Sequence, residues 1–569
     1  MSYTNFRTVA PGEVAKPQTG NEKDIRSRQI DELIALSEDA RRDAYGPNSD
    51  TDNRNLYMLF ERTRKMPTFR PRIAAPQLQI LLLNEAAELT DANIRVFIHK
   101  GDNRDKARED AFKQHWRQNF FSLQLLMAQV YAQFSGTSFL EVGNDPLANQ
   151  GRGNVWTRAR LQSKVHCDPS SWWPPDWTWQ VLEQELQLDE IKQHYGRVAD
   201  KIRPRGAKTK ELAGPPAGRL EMPPGPMSET IRGLQTSTEA DYDTGGPLTV
   251  RRAFICDTTL RELDKQEKLL LESKKLPVPD YVPRFPLGRM VVDCEGTILS
   301  DGQSWLPLGE MWPAIPVWAL PPWDNVWCPP PPKYTKSLQD AAEQQMTQSY
   351  ENARRLNNGV IVIHASTGLT ANSVGGLAGE ILVVNANSPP GQGIDIKYPN
   401  AFPPGMIELP FKYLSLQKEL RGHTAARQGN LNPGNVGPDL FESAVSLSQT
   451  GTRLTGKLFA WSVQKLCELL FYTMGHSFTE QQVFFDKGKK FLWEPDTEHV
   501  GDYRVQLPEG AIRPMSQTAL RSMVIELKKA GMMDVRHALD MLDVPESEEI
   551  AEAVENELKL AALARTQRR

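Results

Sequence analysis

The sequence has little that catalysis or membrane insertion would require. No window offers a long uninterrupted apolar run, so no membrane span is expected. The opening stretch MSYTNFRTVAPGEVAKPQTGNEKD lacks the apolar centre of a signal peptide. Five cysteines (Cys167, Cys256, Cys294, Cys328, Cys467) are an odd number, far apart and without a CxxC pair. That pattern speaks against a disulfide framework and against zinc, and for synthesis in a reducing cytoplasm. There is no GxxxxGK[ST] cradle for nucleoside phosphates, no GxSxG elbow and no HExxH pair. The nine histidines are scattered without an HxxxH pair. His166 and Cys167 are neighbours in an expected strand, so their side chains point to opposite faces and make a poor shared metal site. No enzyme activity, catalytic residue, metal or cofactor is expected. Charge of one sign is also lacking: 67 Lys and Arg against 71 Asp and Glu leave a net charge of −4. A protein that grips nucleic acid over a large surface needs many unpaired cations, and this one has no such excess.

What is present is length and a particular order of elements. At 569 residues the chain exceeds one ordinary core, which favours several domains. Its mean hydropathy of −0.50 describes a polar protein. Ser337–Gly359 reads as a helix in which Leu338, Ala342, Met346, Tyr350 and Ala353 recur at spacings of three and four. So thin an apolar stripe implies packing on copies of itself or on something wet. GVIVIHAS (Gly359–Ser366) and GEILVVNA (Gly379–Ala386) read as strands separated by loop composition. A shorter helix follows Pro403-Pro404-Gly405, with a break expected at Pro410. Gly422–Asp439 holds four glycines and almost nothing apolar, the composition of a long functional or disordered loop. Phe441–Met474 then reads as one long helix, with Gly451 and Gly456 as places to bend or break.

Ahead of this region, Ile25–Tyr45 and Ala75–Leu89 read as helices, Ile94–His99 as a strand, and Asp105–Phe134 as one long helix. Short strands are expected at Thr137–Val142, Val155–Gln162, Lys164–Asp168 and Trp179–Leu186, the last leading into the helix LDEIKQHYG. Trp172, Trp173, Trp177 and Trp179 lack interleaved cations, so packing or subunit contact is expected over base stacking. Lys201–Gly246 has no periodicity and reads as an insertion. PLTVRRAFICD, FPLGRMVVDCEG and TILSDGQSW read as strands, with a turn near Glu295-Gly296, and Leu260–Lys275 as a helix. Tryptophans and prolines crowd Met311–Pro332, whose proline run would form a rigid strut. Two strands are expected after His476, and helices from Pro514 onward, with Ser516, Gly531 and Pro545 as their punctuation.

This order, with the DEI–YG helix following its strand, resembles the portal proteins of tailed bacteriophages. The resemblance implies an α+β, predominantly helical portal fold with wing, stem, clip and crown, assembled as a ring around an axial channel. It places a flexible arm at 1–24, the wing at 25–335 with the insertion at 201–246, and a first stem helix at 336–358. The clip follows at 359–403, a second stem helix at 404–421, the tunnel loop at 422–440 and the long kinked helix at 441–476. Wing strands occupy 477–513 and the helical crown 514–569. By resemblance the ring is a homododecamer in the virion that passes double-stranded DNA without sequence preference, which suits a weakly charged chain. The partners implied are the terminase large subunit, the major capsid protein or scaffold, and a head-completion or adaptor protein at the clip. Channel-facing candidates are Arg421, His423, Arg427, Gln428, Asn430, Asn432 and Asn435, whose amides and few cations touch phosphates without holding them hard. Lys336, Arg354 and Arg355 on the first helix are weaker candidates. The alternatives are another virion structural protein, such as a capsid or tail-tube subunit, or a DNA-processing enzyme.

Overall fold

The computed structural model describes residues 25–46, 75–90, 96–100, 103–145, 153–202, 247–263, 281–358, 360–368, 380–384, 393–397, 404–422, 450–477, 482–486, 489–493, 503–507 and 524–535, with a few isolated positions besides. In chain order they form α1 (Ile25–Tyr45), α2 (Gln77–Thr90), β1 (Phe97–Lys100), β2 (Asn103–Arg104), α3 (Lys106–Gln118), α4 (Phe121–Ser135), β3 (Thr137–Asp145), β4 (Asn154–Leu161), β5 (Val165–Cys167), β6 (Trp179–Leu186) and α5 (Leu188–Tyr195). The chain continues with β7 (Leu248–Ile255), β8 (Leu260–Glu262), β9 (Tyr281–Pro283), β10 (Arg289–Cys294), β11 (Thr297–Gln303), β12 (Ala314–Trp318) and α6 (Pro332–Asn358). Then come β13 (Val360–His364), β14 (Glu380–Val384), β15 (Ile394–Lys397), α7 (Pro404–Leu420), α8 (Thr450–Ser477), β16 (Gln482–Asp486), β17 (Lys489–Trp493) and β18 (Tyr503–Gln506). The fold class is α+β. The expected arm at 1–24, residues 203–246 of the expected insertion, and the punctuating Ser516 and Pro545 lie outside the described residues.

Two sheets make the body. One has the order β12-β3-β4, the other β11-β10-β7-β6-β5. Strand alternation divides β3 between two cores: Leu140 and Val142 join α4 and α8, while Phe139 faces Trp177, Phe254 and Trp327. On the larger sheet, α1 covers Trp179, Val181, Ala253 and Val291 with Ile30, Leu33 and Ile34. The opposite face, carrying Val250, Val292 and Cys294, is closed by Ile191 of α5. A charged row also lies under α1. Glu183, Arg251 and Asp293 are direct register partners on adjacent strands, and Asp31 of α1 pairs with Arg251. Burial raises the Glu183 and Asp293 carboxyls above their usual range, with Arg251 opposing. His166 and Cys167 do face opposite ways, each buried.

Several expectations need correction. Residues 105–134 form two helices, because Phe120 takes a left-handed conformation (φ 52°) between α3 and α4. Trp116 meets Phe121 edge-on at 5.4 Å and donates its indole N–H to Ser122, which fixes the bend. Leu260–Glu262 is a strand paired with Tyr281–Pro283, not the start of a helix. Strand β12 was hidden among tryptophans and prolines; as an edge strand it tolerates Pro316, whose missing N–H costs no ladder bond. The proline run is not a free strut. Pro332 opens α6 at the position where a lost N–H is harmless, and Cys328 before it is fully buried. Gly136 (φ 89°) turns α4 into β3 so close to the Cys328 carbonyl that a Cβ would collide with it. Pro410 sits inside α7 without ending it, and α8 runs unbroken through Gly451 and Gly456. Strands β16 and β17 pair antiparallel with each other, and a third strand, β18, pairs with β1. The turn at Glu295-Gly296 is as read, with both residues at positive φ.

His115 gives the body an acid-sensitive point. Its ring is buried beside Phe121 and bonded through Nε2 to the Val155 carbonyl at 3.2 Å. Burial lowers its pKa to about 4, against the weaker opposing pull of that hydrogen bond. The unfolded chain takes up this proton below about pH 6.5, whereas the folded chain resists it to about 4. Stability from the neutral ring is therefore full above pH 6.5 and lost as the pH falls through that window. Relative to H115Q, the native protein should lose about 2 kcal/mol between pH 7 and 5. Thermal melts of both proteins across this range check it; parallel curves would remove His115 from the acid response.

Candidate functional site

The helical pair α6 and α7, with the small sheet between them in sequence, is the feature that the rest of the chain positions. The two helices pack along each other. The connecting segment contributes the sheet β14-β13-β15, in which β13 and β14 run parallel and β15 runs antiparallel to β13. Strand β15 was not expected from the sequence; IDIK is short, and alternation over four residues is a weak signal.

Attachment of the pair to the body is polar. Along α6, Thr335, Gln339, Glu343 and Thr347 recur every fourth residue and so share one face. Thr335, Gln339 and Thr347 are buried. The Gln339 side chain accepts from the Leu78 N–H at 3.0 Å and donates to Glu343 Oε1 at 3.0 Å. Glu343 in turn accepts from the Ala75 N–H at 3.1 Å, and Thr347 Oγ1 from the Ile73 N–H at 3.4 Å. These are N–H groups at and before the first turn of α2, which that helix cannot satisfy itself. A carboxylate beside that positive helix end is favourable as well. Helix α7 joins the same knot: Gln77 donates to the Leu414 carbonyl at 2.6 Å, and Gln417 to the Thr335 carbonyl at 3.1 Å.

Arg421 closes the knot. Its guanidinium donates to Glu85 Oε2 of α2 at 2.6 Å and to Gln133 Oε1 of α4 at 3.4 Å. Of the seven channel-facing candidates, Arg421 is thus held against the body. His423, Arg427, Gln428, Asn430, Asn432 and Asn435 lie outside the described residues, as do residues 441–449 of the expected long helix and the side chains of Arg354 and Arg355. Lys336 is half-buried near the start of α6.

The apolar stripe read along α6 is buried at Ala342, half-buried at Leu338 and Met346, and exposed at Tyr350 and Ala353. On α7, Pro410 and Gln417 mark the buried face. Ile407 and Phe411 are exposed on one flank of it, and Leu416 and Leu420 on the other. Sequence reasoning missed the polar stripe because Thr, Gln and Glu at fourfold spacing look like an ordinary solvated face.

The tryptophans pack. Trp177 and Trp179 are buried, and Trp461 of α8 lies 5.1 Å from Trp173 and 5.4 Å from Trp318. Trp312 and Trp318 donate their indole N–H groups to the Pro174 and Val326 carbonyls. Among the described residues, no group of three or more His, Cys, Asp or Glu side chains is placed to hold a metal ion.

The Arg421 side chain is 12% exposed and that of Glu85 9%. R421M should cost about 2–4 kcal/mol, since it leaves the carboxylate in a poorly hydrated place without its guanidinium. The double variant E85Q/R421M should recover most of that loss. Urea denaturation of the single and double variants checks this; equal losses in both would show that the pair does not couple. No protein-family model and no curated protein matches the chain.

Proposed function

We propose that this chain is the portal subunit of a tailed bacteriophage. In this reading, copies assemble into a ring at one capsid vertex, conduct double-stranded DNA during packaging and ejection, and dock a terminase motor and later the neck or tail proteins. The role is mechanical rather than catalytic. Helices α6 and α7 are its stem, β13–β15 its clip, and α8 its long helix. The six loop residues from His423 to Asn435 are its DNA-facing groups, with Arg421 fixing where that loop departs from the body.

One observation carries the reading: α7 has exposed apolar residues on both sides of its buried face. Ile407 (54% exposed) and Phe411 (63%) lie one turn apart on one side, Leu416 (43%) and Leu420 (63%) one turn apart on the other. A surface helix of a self-contained globule has one apolar stripe and a polar remainder. A helix that is apolar on both flanks is completed by neighbours on both flanks, and a closed ring supplies both to every subunit. The polar anchorage at α2 supports the same reading, since it holds the pair firmly at one end and leaves its sides available. Among the described residues no helix is long and apolar enough to cross a membrane.

Light scattering and negative-stain imaging of the purified protein test the proposal. Annular particles with a central opening are expected. A monodisperse monomer under all conditions overturns it, as does ATP turnover or metal-dependent DNA cleavage abolished by a point substitution.

A further inference from the structure

Where the two sheets of the body meet, three arginines gather around one carboxylate. Along β3 and β4, Glu141 is the register partner of Arg158, Phe139 of Arg160, and Gly143 of Trp156, so these side chains share one face. A Cβ on Gly143 would lie 2.2 Å from the Trp156 ring, so only glycine lets that ring rest against β3. The Arg158 guanidinium sits 4.5 Å from the centre of the same ring. Arg252 joins from β7 of the other sheet, donating to Glu141 and, at 3.3 Å, to Gln184 of β6. Glu141, whose side chain is 1% exposed, accepts from Arg160 Nε on one oxygen and from Arg252 Nη2 on the other. Three guanidinium groups against one carboxylate leave an excess of two positive charges.

This excess is not simply a solvated surface. The Arg160 side chain is 18% exposed and that of Arg252 21%. Arg160 Nη2 is sealed from solvent and has no hydrogen-bond partner among the described residues. A guanidinium N–H out of reach of water and without an acceptor is costly, because nothing replaces the hydration it has lost. One arginine would suffice to balance Glu141, and the others have no carboxylate of their own among the described residues.

We propose that Arg158, Arg160 and Arg252 form a binding site for one phosphate dianion, either inorganic phosphate or the phosphate of a nucleotide. Two negative charges match the excess, and guanidinium forks present paired N–H groups to phosphate oxygens. Glu141 holds Arg160 and Arg252 from behind, so their remaining N–H groups are fixed in place for the anion. Arg158 is exposed and makes only the ring contact with Trp156, so it is the member that turns to close over the phosphate. Trp156 would then offer its face to a base. A duplex backbone meets cations that stand out from a surface, and of these three only Arg158 does. A single small anion suits the partly covered pair better. The inference is independent of the ring reading.

Calorimetric titration of the full chain with inorganic phosphate, at fixed ionic strength, tests it. One phosphate per chain is expected. R158Q should melt like the native protein without phosphate, since Arg158 makes no hydrogen bond among the described residues, and should bind phosphate about tenfold more weakly or worse. R160M should abolish binding; if it fails to fold, R158Q still decides. No binding heat, or equal affinity in the native protein and R158Q, overturns the inference. Adenosine monophosphate binding no tighter than phosphate assigns the site to the free anion. Tighter binding assigns it to a nucleotide, and W156L should then lose the difference. If phosphate gives no heat while a DNA duplex binds and R158Q weakens it, the arginines belong to a DNA-facing surface and the phosphate site is wrong.

Discussion

The knot of side chains between α6 and the first turn of α2 is the interaction on which the arrangement depends. A helix start has N–H groups that its own backbone cannot satisfy, and in a buried place they must be met by something else. Here Gln339, Glu343 and Thr347 meet them from another helix, more than two hundred residues away in sequence. Hydrogen bonds of this kind are directional. They set the angle and register of α6 on the body more narrowly than apolar packing would, because a one-residue slip would strand both donors and acceptors. Gln77, Gln417 and Arg421 extend the same logic to α7. The helical pair is therefore aimed by polar contacts and left with apolar flanks.

The body that provides this anchorage is built on ordinary burial. Strand β3 is shared between two cores, and α8 brings Trp461 into the tryptophan cluster while Phe459, Val463 and Leu466 fill the other side. This layering explains why α8 continues unbroken through two glycines: Gly456 is buried, and Thr455 and Ser462 bond to carbonyls of the β12 segment. Packing on a sheet outweighs the roughly 1 kcal/mol per glycine that helix propensity would charge.

Much of the element order was legible. Helix α1, strands β6 and β7, helix α5 and the Glu295-Gly296 turn follow from period, capping and turn chemistry, which act over a few residues. The misses have a common physical origin. Phe120 splits what reads as one helix, because the aromatic cluster of Trp116 and Phe121 holds the bend there. Strand β12 contains a proline that only an edge position excuses, and edge positions are set by the partners a strand finds. At the candidate site the same holds. Arg421 read as a loop cation, yet Glu85 and Gln133, far away in sequence, hold it.

By itself the sequence determined the class of molecule: an α+β chain with no long apolar run, no nucleotide cradle and two polar helices bracketing a short sheet. Those properties depend on residue type and on spacings of two, three and four, which any stretch of chain carries with it. Only the tertiary structure decided which face of each helix is spoken for. Thr335, Gln339 and Thr347 became interior and Phe411 and Leu420 became surface because burial is a property of partners brought together by the fold, not of the residue itself.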